Sequence, residues 1–266
     1  MRGNDPAAMR MSDDFVSVRI LAVCASEPDG ELLRQGATHA ATPATAHFNH
    51  VATAAAARTA LAQSNLGIVL LDSTMTERDM KEVFNAVRSA RNPPAVVMVA
   101  PSSKEAAGLA AVGVADAIVV KPGKLAEAKA LIESCMRLKV PSRVLVVDDS
   151  LTMRSLVRKI LNGCRFPFDI SEADDGIDAL KLISAGKFDL VFLDYNMPGL
   201  NGIEMLTQLK RQHPRMEVVM MTSARDEALA ARAREAGAAG FLKKPFYPSD
   251  VDEILFALHR LRPPLA

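Results

Sequence analysis

Short apolar runs recur along the chain at nearly even spacing. Between them lie longer stretches whose apolar residues return every three or four positions. The runs are the pattern of buried strands, and the stretches that of helices covered on one face. Residues 16–23 alternate and then run apolar, as a strand does. Residues 30–45 are rich in Gly, Ala, Thr and Pro, so the first helix is poorly specified. Residues 51–61 are Ala-rich and read as a helix. Leu66-Gly-Ile-Val-Leu-Leu71 reads as a buried strand ending in Asp72. Between Glu77 and Ala90, Met80, Val83, Phe84 and Val87 share one helical face. Residues 95–99 and 115–120 are further strands with an Ala-rich helix, 104–112, between them. A helix over 124–138 follows.

The alternation then starts again. Strands are predicted over 143–147, 166–170, 190–193, 217–221 and 240–242. Helices are predicted over 152–161, 176–184, 203–211, 226–236 and 250–259. In the first of these helices Met153, Leu156, Val157, Ile160 and Leu161 share a face. Strands alternating with helices imply a parallel sheet covered on both faces. The halves match by position. Asp194 and Met197 lie 122 residues after Asp72 and Met75, and Lys244 and Pro245 lie 123 after Lys121 and Pro122. A nearly constant offset through unrelated residue types indicates duplication.

The chain has 266 residues, and domains of roughly 100–150 residues make two the expectation. They are placed at 15–140 and 141–266. Residues 1–14 are polar, lack the apolar region of a secretory signal, and read as a disordered lead-in. The joint Lys139-Val-Pro-Ser-Arg143 is short, which puts the domains close together. A formal net charge of +1 argues against nucleic acid held by a broad basic field. No apolar run reaches the about 20 residues that span a bilayer, so a cytoplasmic chain with no membrane partner is expected. Cys24, Cys135 and Cys164 are widely spaced and read as buried thiols in a reducing compartment.

The chemistry gathers around Asp194-Tyr-Asn-Met-Pro-Gly-Leu-Asn-Gly202. Asp194 follows the apolar run Leu190-Val-Phe-Leu193, so it is a carboxylate at the carboxyl end of a strand. Open α/β sheets bind ligands there. Such an aspartate serves as nucleophile, metal ligand or helix cap. Three further features fall at the same edge: Asp148-Asp149, Thr222 and Lys244-Pro245. Each has a plain explanation alone, Asp149 as a helix cap, Thr222 as a satisfied strand end and Lys244 as a solvated charge. Those explanations do not put all four at one edge. Three carboxylates there repel unless a cation binds, and oxygen donors without Cys or His suit Mg²⁺. A carboxylate beside that ion can attack an in-line phosphoryl donor. Asp149 would hold the ion, Lys244 supply a cation and Thr222 a hydroxyl donor.

Val-Val-Asp148-Asp149-Ser, Phe-Leu-Asp194-Tyr-Asn-Met-Pro, Met-Met-Thr222-Ser-Ala and Phe241-Leu-Lys-Lys244-Pro245 together resemble the signature of bacterial response-regulator receiver domains. The resemblance implies two tandem flavodoxin-like (βα)5 domains, each with a parallel sheet in the order 2-1-3-4-5. It implies that a histidine kinase or phosphotransfer protein passes phosphate to Asp194. Mg²⁺ would be held by Asp149, Asp194 and the backbone carbonyl of Asn196, with Asp148 acting through water. It also implies a cis bond before Pro245 and a switch aromatic at Phe241, in preference to a plain core ring. The Ala-rich helix 226–236 buries little apolar area, at roughly 25 cal/mol per Å², and so shifts easily. Asn196 and Ala224 stand where the family tunes dephosphorylation.

The first half departs from the pattern. Cys24 and Ala25 stand at the acidic pair and Ala100 at the threonine, while Asp72 and Lys121-Pro122 remain. This half is expected to have lost phosphotransfer, with Asp72 and Lys121 pairing. Leu125, Ala128, Leu131, Ile132, Cys135 and Met136 form a stripe wider than one core face requires, which predicts an adaptor or homodimer surface. No helix-turn-helix or cyclase motif is seen, so output is expected through protein contacts. The reading is a two-component response regulator that is not a turnover enzyme. It would bind a phosphorylation-dependent partner through residues 226–259. Asp149-Ser-Leu-Thr-Met-Arg resembles chemotaxis-type receivers, which favours a motility partner. The alternative is a phosphate sink or phosphorelay intermediate. Haloacid-dehalogenase-type phosphatases need a second acid where Asn196 stands, and neither half offers G-x-G-x-x-G for a dinucleotide.

Overall fold

The structure, a computed structural model, describes residues 17–110, 115–197, 201–223 and 227–264. The expected lead-in and Ala224 lie outside them. The first half runs β1 (Ser17–Val23), α1 (Glu27–His39), β2 (Thr45–Val51), α2 (Ala54–Gln63), β3 (Ile68–Asp72), α3 (Glu77–Arg88), β4 (Ala95–Ala100), α4 (Ser103–Ala110), β5 (Ala117–Val120) and α5 (Leu125–Met136). The second runs β6 (Ser142–Val147), α6 (Leu151–Leu161), β7 (Phe168–Ala173), α7 (Gly176–Ala185), β8 (Leu190–Asp194), α8 (Gly202–Gln212), β9 (Glu217–Thr222), α9 (Glu227–Glu235), β10 (Gly240–Lys243) and α10 (Pro248–Leu258).

Each half makes a five-stranded parallel sheet, ordered β2-β1-β3-β4-β5 and β7-β6-β8-β9-β10. Both are the flavodoxin-like order 2-1-3-4-5 that the motifs implied. The central strands β3 and β8 are buried at every position, because helices cover both faces of the sheet. The duplication extends to single hydrogen bonds. The Lys121 N–H donates to the Ala100 carbonyl at 2.8 Å, and the Lys244 N–H to the Thr222 carbonyl at 2.7 Å.

Three expectations are corrected. The strand β2 covers 46–50, which the pattern had left unassigned, and takes in Val51, which had been read as helix. Its alternation, with Ala46 and Phe48 turned to the core, was masked by the polar Thr, Asn and His on its other side. The helix α1 is better specified than its composition suggested: Ser26 caps it, Pro28 sits in its first turn and Leu33 is buried. On α6, Leu156 is 43% exposed, so it lies off the core face that Val157, Ile160 and Leu161 form.

Buried side chains form three clusters. One lies under α2, α3 and α4, and one under α7, α8 and α9. The third belongs to both halves: it runs from Leu33 on α1 through Leu131, Ile132, Cys135 and Met136, across Leu138 and Val140, to Val144, Phe166, Phe256 and Leu261. The broad stripe on α5 is therefore covered within one chain, and of its six residues only Leu125 is exposed. A homodimer through the first half would need another face. The joint is further fixed by an Arg137–Asp189 ion pair at 3.3 Å. His259 packs against Phe166 with ring centroids 5.4 Å apart.

The His259 imidazole is pushed down to about 4, first by burial and then by Arg137, with Asp189 opposing. Above its ordinary value of 6.5 it is neutral both folded and unfolded. As the pH falls below 6.5, the unfolded chain takes up this proton while the folded chain resists until near pH 4, so stability is lost across that window. Between pH 7 and pH 5, urea unfolding of the wild type should lose up to about 2 kcal/mol more than His259→Gln does. Equal losses in the two proteins would refute this account of the ring.

Candidate functional site

The ends of four strands place the site. β6 ends one residue before Asp148, whose N–H still pairs with the Ala173 carbonyl of β7 at 3.3 Å. The Asp148 carboxylate is tied on both sides. Its Oδ1 accepts the Ser150 N–H at 2.9 Å, and its Oδ2 accepts Lys244 Nζ at 2.6 Å. Asp194 closes β8, and its Oδ1 accepts the same ammonium at 2.9 Å. Thr222 closes β9 and is fully buried. Lys244 follows β10 and is joined to Pro245 by a cis bond, as the resemblance implied. Its side chain is 11% exposed, so it is not a solvated surface charge.

Asp149 is not the helix cap. Ser150 caps α6, its hydroxyl accepting the Met153 N–H, and Asp149 stays exposed. Asp148, Asp149 and Asp194 each offer a carboxylate oxygen, and these atoms lie within 4.8 Å of one another. Among the described residues no other such group of acids, histidines and cysteines occurs. All three donors are hard oxygens, which fits Mg²⁺ and not a soft metal. Asn196 is exposed on the loop just beyond β8. Phe241 is half-buried and packs against the cluster under α7, α8 and α9.

The charges are unbalanced, with three carboxylates facing one ammonium. Burial raises the Asp194 carboxyl above its ordinary value. The hydrogen bond from Lys244 pulls it down, and the nearby Asp148 charge adds to the rise. Burial alone would lower Lys244, but the hydrogen bonds to Asp148 and Asp194 outweigh it and the ammonium is held more firmly than usual. The protonation of Asp194 and of Lys244 is thus coupled through their hydrogen bond.

Sequence reasoning missed two kinds of residue here. Arg154 on α6 donates to the Asp148 carbonyl at 2.8 Å and to Glu172 of β7 at 3.2 Å. It fixes the turn that carries the acidic pair. Gly202 opens α8, where a Cβ would stand 2.7 Å from the Asp194 carbonyl oxygen and 2.8 Å from the Tyr195 Cα. Only glycine lets the helix come this close behind Asp194.

The corresponding edge of the first half is closed differently. Lys121 pairs with Asp72 at 3.4 Å, as expected, but makes a closer ion pair with Asp29 of α1. The N–H and hydroxyl of Thr74 donate to Asp72 at 2.9 and 2.8 Å. Cys24 is pushed up to about 11, by burial first and then by the Asp72 and Asp29 charges, so its thiol is unreactive at neutral pH.

Residues 144–256 match the family described as response regulator receiver domain. Chemotaxis protein CheY-3 of Vibrio cholerae is 36% identical over 115 residues, which span 42% of this chain and 88% of that protein. The cyclic di-GMP phosphodiesterase response regulator RpfG of Xanthomonas campestris pv. campestris is 33% identical over 110 residues, 41% of this chain and 29% of that one. Among solved structures, Vibrio cholerae chemotaxis protein CheY4 covers 46% of this chain and 98% of its own, at 29% identity and a TM-score of 0.40. A chain described as a two-component system response regulator/GGDEF domain protein covers 91% of this chain and 99% of its own, at 23% identity and a TM-score of 0.48.

Gly202→Ala should displace the Asp194 loop. Overpacking against backbone predicts a stability loss of about 1–3 kcal/mol by chemical denaturation. It also predicts weaker Mg²⁺-dependent thermal stabilisation than in the wild type. A variant as stable and as responsive to Mg²⁺ as the wild type would show that the approach of α8 is not needed.

Proposed function

The chain belongs to the response regulator receiver family, and from that premise we propose that Asp194 is its phosphoacceptor, served by a histidine kinase or phosphotransfer protein. The observation that carries this reading is Lys244 drawn between Asp148 and Asp194, with a third carboxylate beside them. We assign phosphotransfer to a domain spanning residues 141–266, and an adaptor role to the receiver-like domain 15–140.

In this reading an Asp194 oxygen attacks phosphorus in line. The new bond is an acyl phosphate. The bond from phosphorus to the donor imidazole nitrogen breaks, and that nitrogen keeps the electron pair. Lys244 turns its ammonium from the carboxylates to pair with a phosphoryl oxygen, and the Thr222 hydroxyl donates to another. Mg²⁺, held by Asp149, Asp194 and the Asn196 carbonyl with Asp148 supporting through water, would offset the carboxylate and phosphoryl charge. Thr222 moves toward the phosphate, and Phe241 turns into the space it leaves. Leu229 and Ala233 are the buried side chains of α9 among those described. At roughly 25 cal/mol per Å², so little buried area holds the helix weakly. The face formed by α9, β10 and α10 is accordingly the output surface, read by a protein partner. The Asp29–Lys121 pair supports the view that the first domain does not accept phosphate.

Acetyl phosphate with Mg²⁺ should add one phosphoryl mass to the wild type and none to Asp194→Asn, with Asp72 unmodified. Lys244→Ala should slow the addition by roughly a hundredfold, the scale for losing a charge-stabilising donor. Stoichiometric phosphate on Asp194→Asn would overturn the assignment. Phosphorylation should also speed amide exchange in α9 while leaving β8 unchanged. Protection of α9 equal to that of β8, before and after phosphorylation, would remove the output face from the reading.

A further inference from the structure

The segment after α10 leaves its own domain. Arg260 turns the chain with a φ of 53°. Leu261 is buried at 4% exposure in the cluster shared by both halves. Arg262 then pairs antiparallel with Ile118 of β5. The Arg262 N–H donates to the Ile118 carbonyl at 2.9 Å, and the Ile118 N–H to the Arg262 carbonyl at 3.0 Å. β5 is the edge of the first sheet, and the outward groups of an edge strand are an open template for another strand. Here the second domain supplies that strand.

The pairing is held to one rung. Hydrogen-bonded pairs in an antiparallel ladder recur at every second residue. On one side Arg260 has left the extended conformation. On the other, Pro264 has no N–H to give, and the Asp116 N–H is already donated to the Val96 carbonyl at 2.8 Å. Two hydrogen bonds and one buried leucine make a latch that can open without unfolding either sheet.

The latch is also close to the site along the chain. From Lys244 the backbone passes Phe246, Val251, Leu255 and Phe256, all buried in the same cluster as Leu261. A shift at Lys244 is therefore carried by packed side chains rather than absorbed in a loose loop. We propose that residues 259–264 are a strap that transmits phosphorylation of Asp194 through α10 to β5, and that it loosens when Lys244 moves onto the phosphoryl group. The first domain becomes an internal reader of the second. This rests on the phosphoacceptor reading above.

The Ile118 N–H is bonded to Arg262, so its exchange with deuterium reports the strap. NMR exchange on the full chain should show Ile118 roughly tenfold slower in the wild type than in Leu261→Asp and Arg262→Pro. Val97 and Met98 amides serve as the check that the sheet is intact. Mg²⁺ with beryllofluoride, a mimic of aspartyl phosphate, should speed Ile118 exchange about threefold in the wild type and leave Asp194→Asn unchanged. Equal Ile118 rates in the wild type and both variants would overturn the strap. An unchanged Ile118 rate, with Asp194 and Lys244 resonances shifted by beryllofluoride, overturns the coupling and leaves the phosphoacceptor reading standing. Resonances that do not shift overturn that reading and the coupling together.

Discussion

A single ammonium held between two buried carboxylates governs the second domain. Lys244 reaches Asp148 and Asp194 from the last strand of the sheet, so β6, β8 and β10 are tied at one end by charge as well as by backbone pairing. The tie is incomplete, because Asp149 adds a further negative charge at the same edge. A buried ion pair of this kind contributes little net stability over apolar packing, yet removing one partner is severe. Its value lies in leaving the edge short of positive charge. An arriving cation or a new anion on Asp194 then changes the balance at every strand end together.

The first domain shows the same backbone with one carboxylate fewer at that edge. Cys24 and Ala25 leave Asp72 as the last strand-end acid, and Asp29 comes in from the first turn of α1 to hold Lys121. Two carboxylates share one ammonium, Thr74 satisfies the remaining carboxylate oxygen, and the thiol beside them is held protonated. What the second domain leaves open for ligands, the first has closed with its own side chains.

The sequence showed most of this where burial is symmetrical. β3, β4, β8 and β9 are apolar runs because both their faces are covered, and the residue following each run lands at a strand end by construction. That made Asp194 and Thr222 legible. It failed where one side of an element meets water or another element. β2 carries polar residues outward and was not seen. Leu156 followed the helical period yet points to solvent. Asp29 and Arg154 act across elements, and no local spacing marks a side chain that reaches a neighbouring strand end. The stripe on α5 was read correctly as too wide for one core, but its second partner was the other half of the chain.

The bridge between Ile118 and Arg262 joins positions 144 residues apart in the chain. At a synthesis rate of roughly 5–20 residues per second, β5 exists on the order of ten seconds before the residue that covers it. A nascent first domain therefore waits beside the ribosome with its sheet unfinished along one margin. Pro122, two residues past β5, shortens the run that a foreign strand could join until the chain's own later segment arrives.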